Sequence, residues 1–156
     1  MIKADARYFN NAHRISDVPL DSGVTALYDG QWLMFGTGAT AGKLILHTGA
    51  ANKRGYITLS SKYGDVGANI GRAITEDPAG RDNVTSTGFA TVLAGTYRLA
   101  TDQYETATYV PGAALKISAN AKLTPWVKGT DLAEDIVGYV TVAPADSADV
   151  LTFIHE

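Results

Sequence analysis

The side chains most suited to chemistry in this sequence are its three histidines, His13, His47 and His155. No two of them are four residues apart, and none lies beside acids at the spacing of metal ligands. The chain has no cysteine, which removes disulfides, cysteine-bound zinc and thiol catalysis from consideration. We therefore interpret the histidines as individual packed or surface residues.

Three further patterns could in principle carry chemistry. The loop Gly36-x-Gly38-x-x-x-Gly42 lacks the Lys-Ser/Thr pair and the following helix of a phosphate-binding loop. Two acidic groups, Asp146 with Asp149 and the 131–135 cluster, offer too few oxygen ligands for calcium and are interpreted as solvated turns. No serine lies in a Gly-x-Ser-x-Gly turn, although a Ser-His-Asp triad is recognised by geometry rather than by sequence order. We expect no enzyme activity, no cofactor and no metal.

Composition excludes several classes of partner. The net charge is −3, which disfavours a nucleic-acid binder that depends on neutralising phosphates. No apolar run approaches the ~20 residues of a membrane helix, and the charged N-terminus does not resemble a signal peptide. We expect neither a nucleic-acid nor a membrane partner.

The elements that must position any site are short strands. Turn signals recur every eight to twelve residues or so, and helical periodicity is almost absent. Asp29-Gly30 predicts a hairpin between residues 24–28 and 31–35, and Ala94-Gly95 predicts another between 89–93 and 96–100. The fold predicted is all-β: a single-domain β-sandwich or barrel of short antiparallel strands with an extended N-terminal arm.

Two strand patterns in the C-terminal module, residues 88–156, are the clearest in the chain. Leu115, Ile117 and Ala119 alternate with polar residues, as in a half-buried strand. The closing pair, residues 136–142 and 149–154, is apolar on both faces, which predicts cover on both sides by its own domain or by a partner.

The domain division predicted is an arm at 1–22 and a single β domain at 23–156. The arm shows neither helical nor strand periodicity, but it has more apolar residues than a free tail usually has. It is therefore either a strand packed on its own domain or an arm that becomes ordered on a partner. Residues 62–87 are the least strand-like, and 75–83 are predicted to form a long polar loop.

The C-terminal module contains five short segments that form a recognisable pattern: Leu93-Ala94-Gly95-Thr96-Tyr97, Val110-Pro111-Gly112-Ala113-Ala114-Leu115-Lys116, Ala121-Lys122-Leu123-Thr124, Ile136-Val137-Gly138-Tyr139-Val140 and Asp149-Val150-Leu151-Thr152-Phe153. With these segments, the module resembles the capsid decoration (cement or head-stabilising) proteins of tailed bacteriophages. The resemblance covers about residues 88–156. The sequence departs from that pattern at Ala113, where an acidic residue is usual, and at Asn120-Ala121, where a glycine is usual.

The resemblance implies a structural virion protein, made in the host cytoplasm, that sits on the exterior of an icosahedral capsid. It would stabilise the shell by bridging subunits of the major capsid protein, as a homotrimer. In this interpretation the N-terminal arm gains order on the shell. The residues expected to contact the partner are Ile2, Arg7, Tyr8, Phe9, Arg14 and Ile15.

Other classes of function remain open at this point. A non-catalytic carbohydrate-binding or adhesin-like module of a phage fibre would use Trp32 or Trp126 as a stacking platform. A single-strand nucleic-acid barrel would need a basic groove with aromatics, for which Lys53-Arg54 near Tyr56 is the only hint. For a small hydrolase, the sequence shows no supporting set of catalytic residues.

Overall fold

The computed structural model describes residues 3–4, 12–24, 27–28, 30–51, 53–58, 73–76, 82–85, 89–145 and 149–156. In this part of the chain the regular structure is strand, apart from two 3₁₀ turns at Gly38–Thr40 and Ala133–Asp135. The all-β prediction is confirmed. The strands are β1 (Lys3–Ala4), β2 (His13–Pro19), β3 (Leu27–Tyr28), β4 (Trp32–Phe35), β5 (Leu44–Leu46), β6 (Tyr56–Thr58), β7 (Ala73–Glu76), β8 (Asp82–Thr85), β9 (Phe89–Ala94), β10 (Tyr97–Thr101), β11 (Ala114–Ile117), β12 (Leu123–Pro125), β13 (Gly138–Val142) and β14 (Leu151–His155).

The described strands form three antiparallel sheets. A six-stranded sheet has the order β1-β10-β14-β13-β11-β12, and a five-stranded sheet has the order β2-β9-β6-β4-β5. A three-stranded sheet has the order β3-β8-β7. The six-stranded sheet is built almost entirely from the C-terminal module, and only β1 comes from elsewhere in the chain.

The main core lies between the two large sheets, which makes the architecture a β-sandwich. Alternate residues of each strand point into this core, as the two-residue period of a strand requires. Its buried members come from both sheets: Trp32, Ile57 and Leu93 from the five-stranded sheet, and Tyr97, Leu99, Leu115, Ile117, Leu123, Val140, Leu151 and Phe153 from the six-stranded one.

A second core covers the opposite face of the five-stranded sheet. Leu33, Leu44 and Val92 point to this face and are buried, and Leu20 with Leu27 packs over them. The five-stranded sheet therefore has a buried cluster on each face. In β4, Trp32 and Leu33 point to opposite faces and are both 0% exposed, whereas Phe35 at the end of the strand is 44% exposed.

Both predicted glycine hairpins are wrong, for the same reason. The turns exist, with Gly30 at φ 89° and Gly95 at φ 96°. However, β3 pairs with β8 in the small sheet while β4 joins the five-stranded sheet, and β9 and β10 belong to different large sheets. A left-handed glycine allows a sharp reversal, but pairing is decided by which core each strand's apolar face meets.

The long polar loop predicted at 75–83 is also shorter than expected. Ala73–Glu76 and Asp82–Thr85 are paired strands, with Glu76 opposite Asp82. The β-branched residues at the two ends of that segment favour strand structure, and only residues 77–81 lie between them.

For the N-terminal residues, the described parts support a strand packed on its own domain. β2 pairs with β9 from His13↔Ala94 to Pro19↔Phe89, and Lys3–Ala4 pairs with β10. Residues 5–11 lie outside the described ranges.

Candidate interaction face and cleft

The predicted partner-contacting residues are only partly described. Ile2, Arg7, Tyr8 and Phe9 lie outside the described residues, and Arg14 is described as a backbone position in β2. Ile15 has a side chain that is 41% exposed. The described residues therefore place one side chain of the predicted set on the surface, and the contact site made by the whole set stays a prediction.

A different surface does gather residues suited to a partner: the outer face of the six-stranded sheet. Strand register places Ala114 opposite Tyr139, Tyr139 opposite Ile154, and Ile154 opposite Arg98. Trp126 follows β12 and donates its backbone N–H to Ala114 O at 2.9 Å, which continues the line to the sheet edge. We call these five residues the outer row.

The outer row points away from the core because its neighbours along each strand point into it. Val140 in β13 and Phe153 in β14 are 2% and 0% exposed, whereas Tyr139, which precedes Val140 in β13, is 38% exposed. Val142, which pairs with Thr152 beyond an irregularity in β13, is also exposed. The prediction that the closing pair is covered on both faces therefore holds within this chain for one face only.

The residue types of the outer row are those that dominate binding energy at protein interfaces. Trp, Tyr and Arg are enriched among such residues, whereas Lys and Glu are depleted from interface centres. Trp126 and Tyr139 flank the small Ala114, so their backbones are two strand spacings, about 10 Å, apart. The indole N–H of Trp126 donates to Leu132 O at 2.8 Å, which fixes the ring's orientation.

A second feature is a cleft of about 550 Å³ at one end of the sandwich, between the loop that follows β5 and the loop that precedes β13. Its apolar lining includes Ile117, Leu132 and Val137, and its polar lining includes His47 and His155. It was not foreseen from the sequence, because its walls come from segments about 80 residues apart.

His155 is a buried polar residue that lines this cleft. Its Nδ1–H donates to Gly95 O at 2.8 Å, and its ring stacks on Tyr97 with centroids 4.6 Å apart. The Trp32 ring lies 5.7 Å away. Burial lowers the pKa of His155, so the ring is neutral near pH 7 and Nε2 carries a bare lone pair.

His47 has a structural role on the opposite wall. Its Nδ1 accepts the Gly49 N–H, and its Nε2–H donates to Lys53 O, both at 3.0 Å. Both ring nitrogens are therefore used to shape the loop between β5 and β6. Burial also lowers the pKa of His47.

The other loop of the cleft is held by an ion pair. Lys116 Nζ donates to Asp131 Oδ1, and Asp131 Oδ2 accepts the Val127 N–H at 2.7 Å. These two bonds lower the pKa of Asp131, with the lysine contact the larger cause. The loop is thus fixed to β11, and the pair is satisfied without a ligand.

Among the described residues, neither histidine of the cleft is paired with a carboxylate. His47 and His155 hydrogen-bond to backbone rather than to carboxylates, so neither forms the base of a Ser-His-Asp arrangement. Among the described residues, no cluster of three His, Cys, Asp or Glu side chains could hold a metal ion.

Two of the sequence-based alternatives change with the structure. Trp32 is 0% exposed and cannot serve as a stacking platform, whereas Trp126 is half-buried in the outer row. The guanidinium of Arg54 lies 5.6 Å from the centre of the Tyr56 ring, so that basic-aromatic pair forms a local cation–π contact.

No family model, curated protein or solved structure matches the chain. Within the described ranges there is no helix of the length and apolarity needed to cross a membrane.

Proposed function

We propose that this chain is a non-catalytic structural protein that binds the outer surface of an icosahedral phage capsid and bridges subunits of the major capsid protein. The observation that carries the proposal is the outer row, in which Tyr139 is exposed and the other four residues are partly exposed, on a sheet whose other face packs against the main core. A rigid presenting surface loses little conformational freedom when it binds.

The segments that resemble decoration proteins supply most of this sheet. Pro111-Gly112 forms the turn before β11, with Gly112 at φ 84° and Ala113 N–H bonded to Val110 O at 2.9 Å. The segments at 136–140 and 149–153 contribute β13 and β14, which carry Tyr139 and Ile154. The resemblance and the candidate interface therefore involve the same part of the chain.

The proposed binding mode does not require high affinity at each site. A decoration protein meets a lattice of identical subunits, and linked copies raise the overall affinity without new contacts. A homotrimer on such a lattice, as the resemblance implies, would engage three outer rows at once.

Co-sedimentation tests this function directly. The purified chain is mixed with expanded capsids that lack it and, separately, with unexpanded procapsids. We expect saturable pelleting at a fixed ratio to the major capsid protein, with preference for the expanded shell. Absence of pelleting with both shells would reject the proposal.

One observation favours a second candidate, a carbohydrate-binding module. Trp126 and Tyr139 on either side of the small Ala114 form a surface on which sugar rings could stack. A glycan screen read by tryptophan fluorescence distinguishes the two: saturable fluorescence changes without capsid binding would favour the sugar-binding candidate.

A further inference from the structure

We propose that the cleft at the end of the sandwich binds a small zwitterion that carries both an ammonium and a carboxylate group, such as an α-amino acid or a short peptide. This goes beyond capsid binding, because the cleft and the outer row are separate surfaces built from different residues.

His155 presents a hydrogen-bond acceptor, its Nε2 atom, to the cleft. The side chain is 8% exposed and lines the cleft. Tyr97 covers a face of the ring and Gly95 O occupies Nδ1, so the edge that carries Nε2 is the one left for the cleft. Nε2 has no partner among the described residues, and a neutral imidazole nitrogen accepts a hydrogen bond from an N–H or O–H group.

The second feature of the cleft is the set of charged groups that line it. The Lys116–Asp131 pair is internally balanced. Lys53 and Arg54 line the cleft and have no ion-pair partner within the described ranges, and Glu134, Asp135 and Glu156 supply acidic groups. Arg54 and Glu156 both lie close enough to His155 to influence its electrostatics.

These features together select a ligand with two opposite charges. An ammonium group can donate to His155 Nε2 beside the Glu156 carboxylate, and a carboxylate can pair bidentately with Arg54. A simple anion is disfavoured, because it would place its lone pairs against that of Nε2. The volume, about 550 Å³, falls in the range of small-molecule sites and accommodates a dipeptide.

The test is a titration of the full chain with glycine and glycylglycine, followed by the imidazole and backbone ¹⁵N resonances. Methylammonium and acetate serve as probes that carry a single charge. We expect saturable shifts of His155 Nε2 and the Arg54 amide with the zwitterions, and at least about tenfold weaker binding of either single-charge probe. Equal binding of acetate or methylammonium, or no shift with any probe, would overturn the proposal.

Variants identify the groups involved. Arg54→Gln and Glu156→Gln alter exposed side chains, and each is expected to weaken glycylglycine binding about tenfold or more. Lys128→Gln, an exposed lysine outside the cleft, is the matched control and should bind as the parent does. Unchanged binding in both cleft variants would refute the charge-pairing scheme. Because none of these measurements involves a capsid, failure here leaves the co-sedimentation result unaffected, and the reverse also holds.

Discussion

The two large sheets of this protein face different surroundings. The five-stranded sheet has a core on each face, and its strand β4 buries Trp32 on one side and Leu33 on the other. Among the described residues, the six-stranded sheet packs against the main core with one face, and Tyr139 and Val142 on the other side of its strand β13 are exposed. Apolar residues occur on both faces of both sheets, but within the described ranges only the five-stranded sheet has a buried cluster on each face, although its Ile15, Phe35 and Phe89 are exposed.

This difference separates residues that stabilise the fold from residues available to a partner. Burying an aliphatic side chain contributes about 1.5–3 kcal/mol relative to leaving it exposed, so an apolar residue held in water forgoes that gain until something covers it. Exposed single residues are common, but a line of them across paired strands on one face is typical of an interaction site. Substitutions in the two sheets should therefore differ in their effects on stability and on partner binding.

The largest effect is expected at Gly138 in β13, which pairs with His155 in β14. A Cβ at this position would lie 2.1 Å from Ile154 O, a backbone atom that cannot move aside without breaking the strand pair. Gly138→Ala should therefore destabilise the fold by about 3 kcal/mol or more, measured by urea denaturation.

Gly112→Ala is the control for Gly138→Ala. A Cβ there meets nothing within 4 Å, and its cost is limited to the positive φ of 84°, about 1–2 kcal/mol. Equal losses at the two positions would show that β13 and β14 can separate to admit a side chain.

The next prediction contrasts Leu33→Ala with Tyr139→Ala. Leu33 is fully buried in the second core, so its truncation should lower the free energy of unfolding by about 2–5 kcal/mol. Tyr139 is partly exposed on the open face, so its truncation should cost less than about 1 kcal/mol while weakening partner binding. Paired denaturation curves test this, and a large loss at Tyr139 would mean that its own chain already covers it.

A third prediction concerns acid, because both histidines of the cleft are buried and neutral. Their folded-state pKa values lie below the ordinary value of 6.5, so the unfolded chain binds more protons in the interval between the two. Stability should therefore fall as the pH drops below about 6.5, since the unfolded state is favoured by that proton uptake. Urea midpoints at pH 7.5 and 5.5 measure this slope.

Replacing His155 by phenylalanine should reduce that slope, because one contributing group is removed while a ring remains beside Tyr97. A second loss is expected below about pH 4.5, where Glu105 gives up its bonds from Ser118 and Asn120. A flat stability profile between pH 7.5 and 5.5 would contradict the buried neutral state of both histidines.

The smallest effect is expected at Ala121, which adopts φ 58° in the turn between β11 and β12. Glycine takes this conformation without strain. However, Ala121→Gly also removes a buried methyl group and raises the conformational entropy of the unfolded chain, and both effects lower stability. We expect a net stabilisation of less than about 1 kcal/mol by thermal denaturation. A clear loss would show that methyl burial outweighs backbone strain.

Local pattern was sufficient to predict strand content and the inward face of β11, where Leu115 and Ile117 are buried as expected. Ala119 lies beyond the end of that strand and is exposed, because β11 ends at Ile117 and a turn follows. The sheet assignment of β9 and β10 was not predictable from the turn between them, since the competing pairings lie far away in sequence.

The outer row shows the same limit for the candidate site. The alternation that exposes Tyr139 is visible in the sequence, but its alignment with Trp126 depends on two strand registers. The bare nitrogen of His155 depends on a hydrogen bond to Gly95, 60 residues away. Neither the alignment of Tyr139 with Trp126 nor the hydrogen bond between His155 and Gly95 can be predicted from spacing along the sequence.

The measurement that tests the account most directly is co-sedimentation of two charge-introducing variants with expanded capsids. Tyr139→Arg changes the open face of the six-stranded sheet, and Phe35→Arg changes a residue of the five-stranded sheet that is 44% exposed. If the outer row is the partner-binding face, Tyr139→Arg abolishes pelleting and Phe35→Arg pellets as the parent chain does, with both variants folded by circular dichroism. Normal pelleting of a folded Tyr139→Arg variant would contradict the assignment of this face.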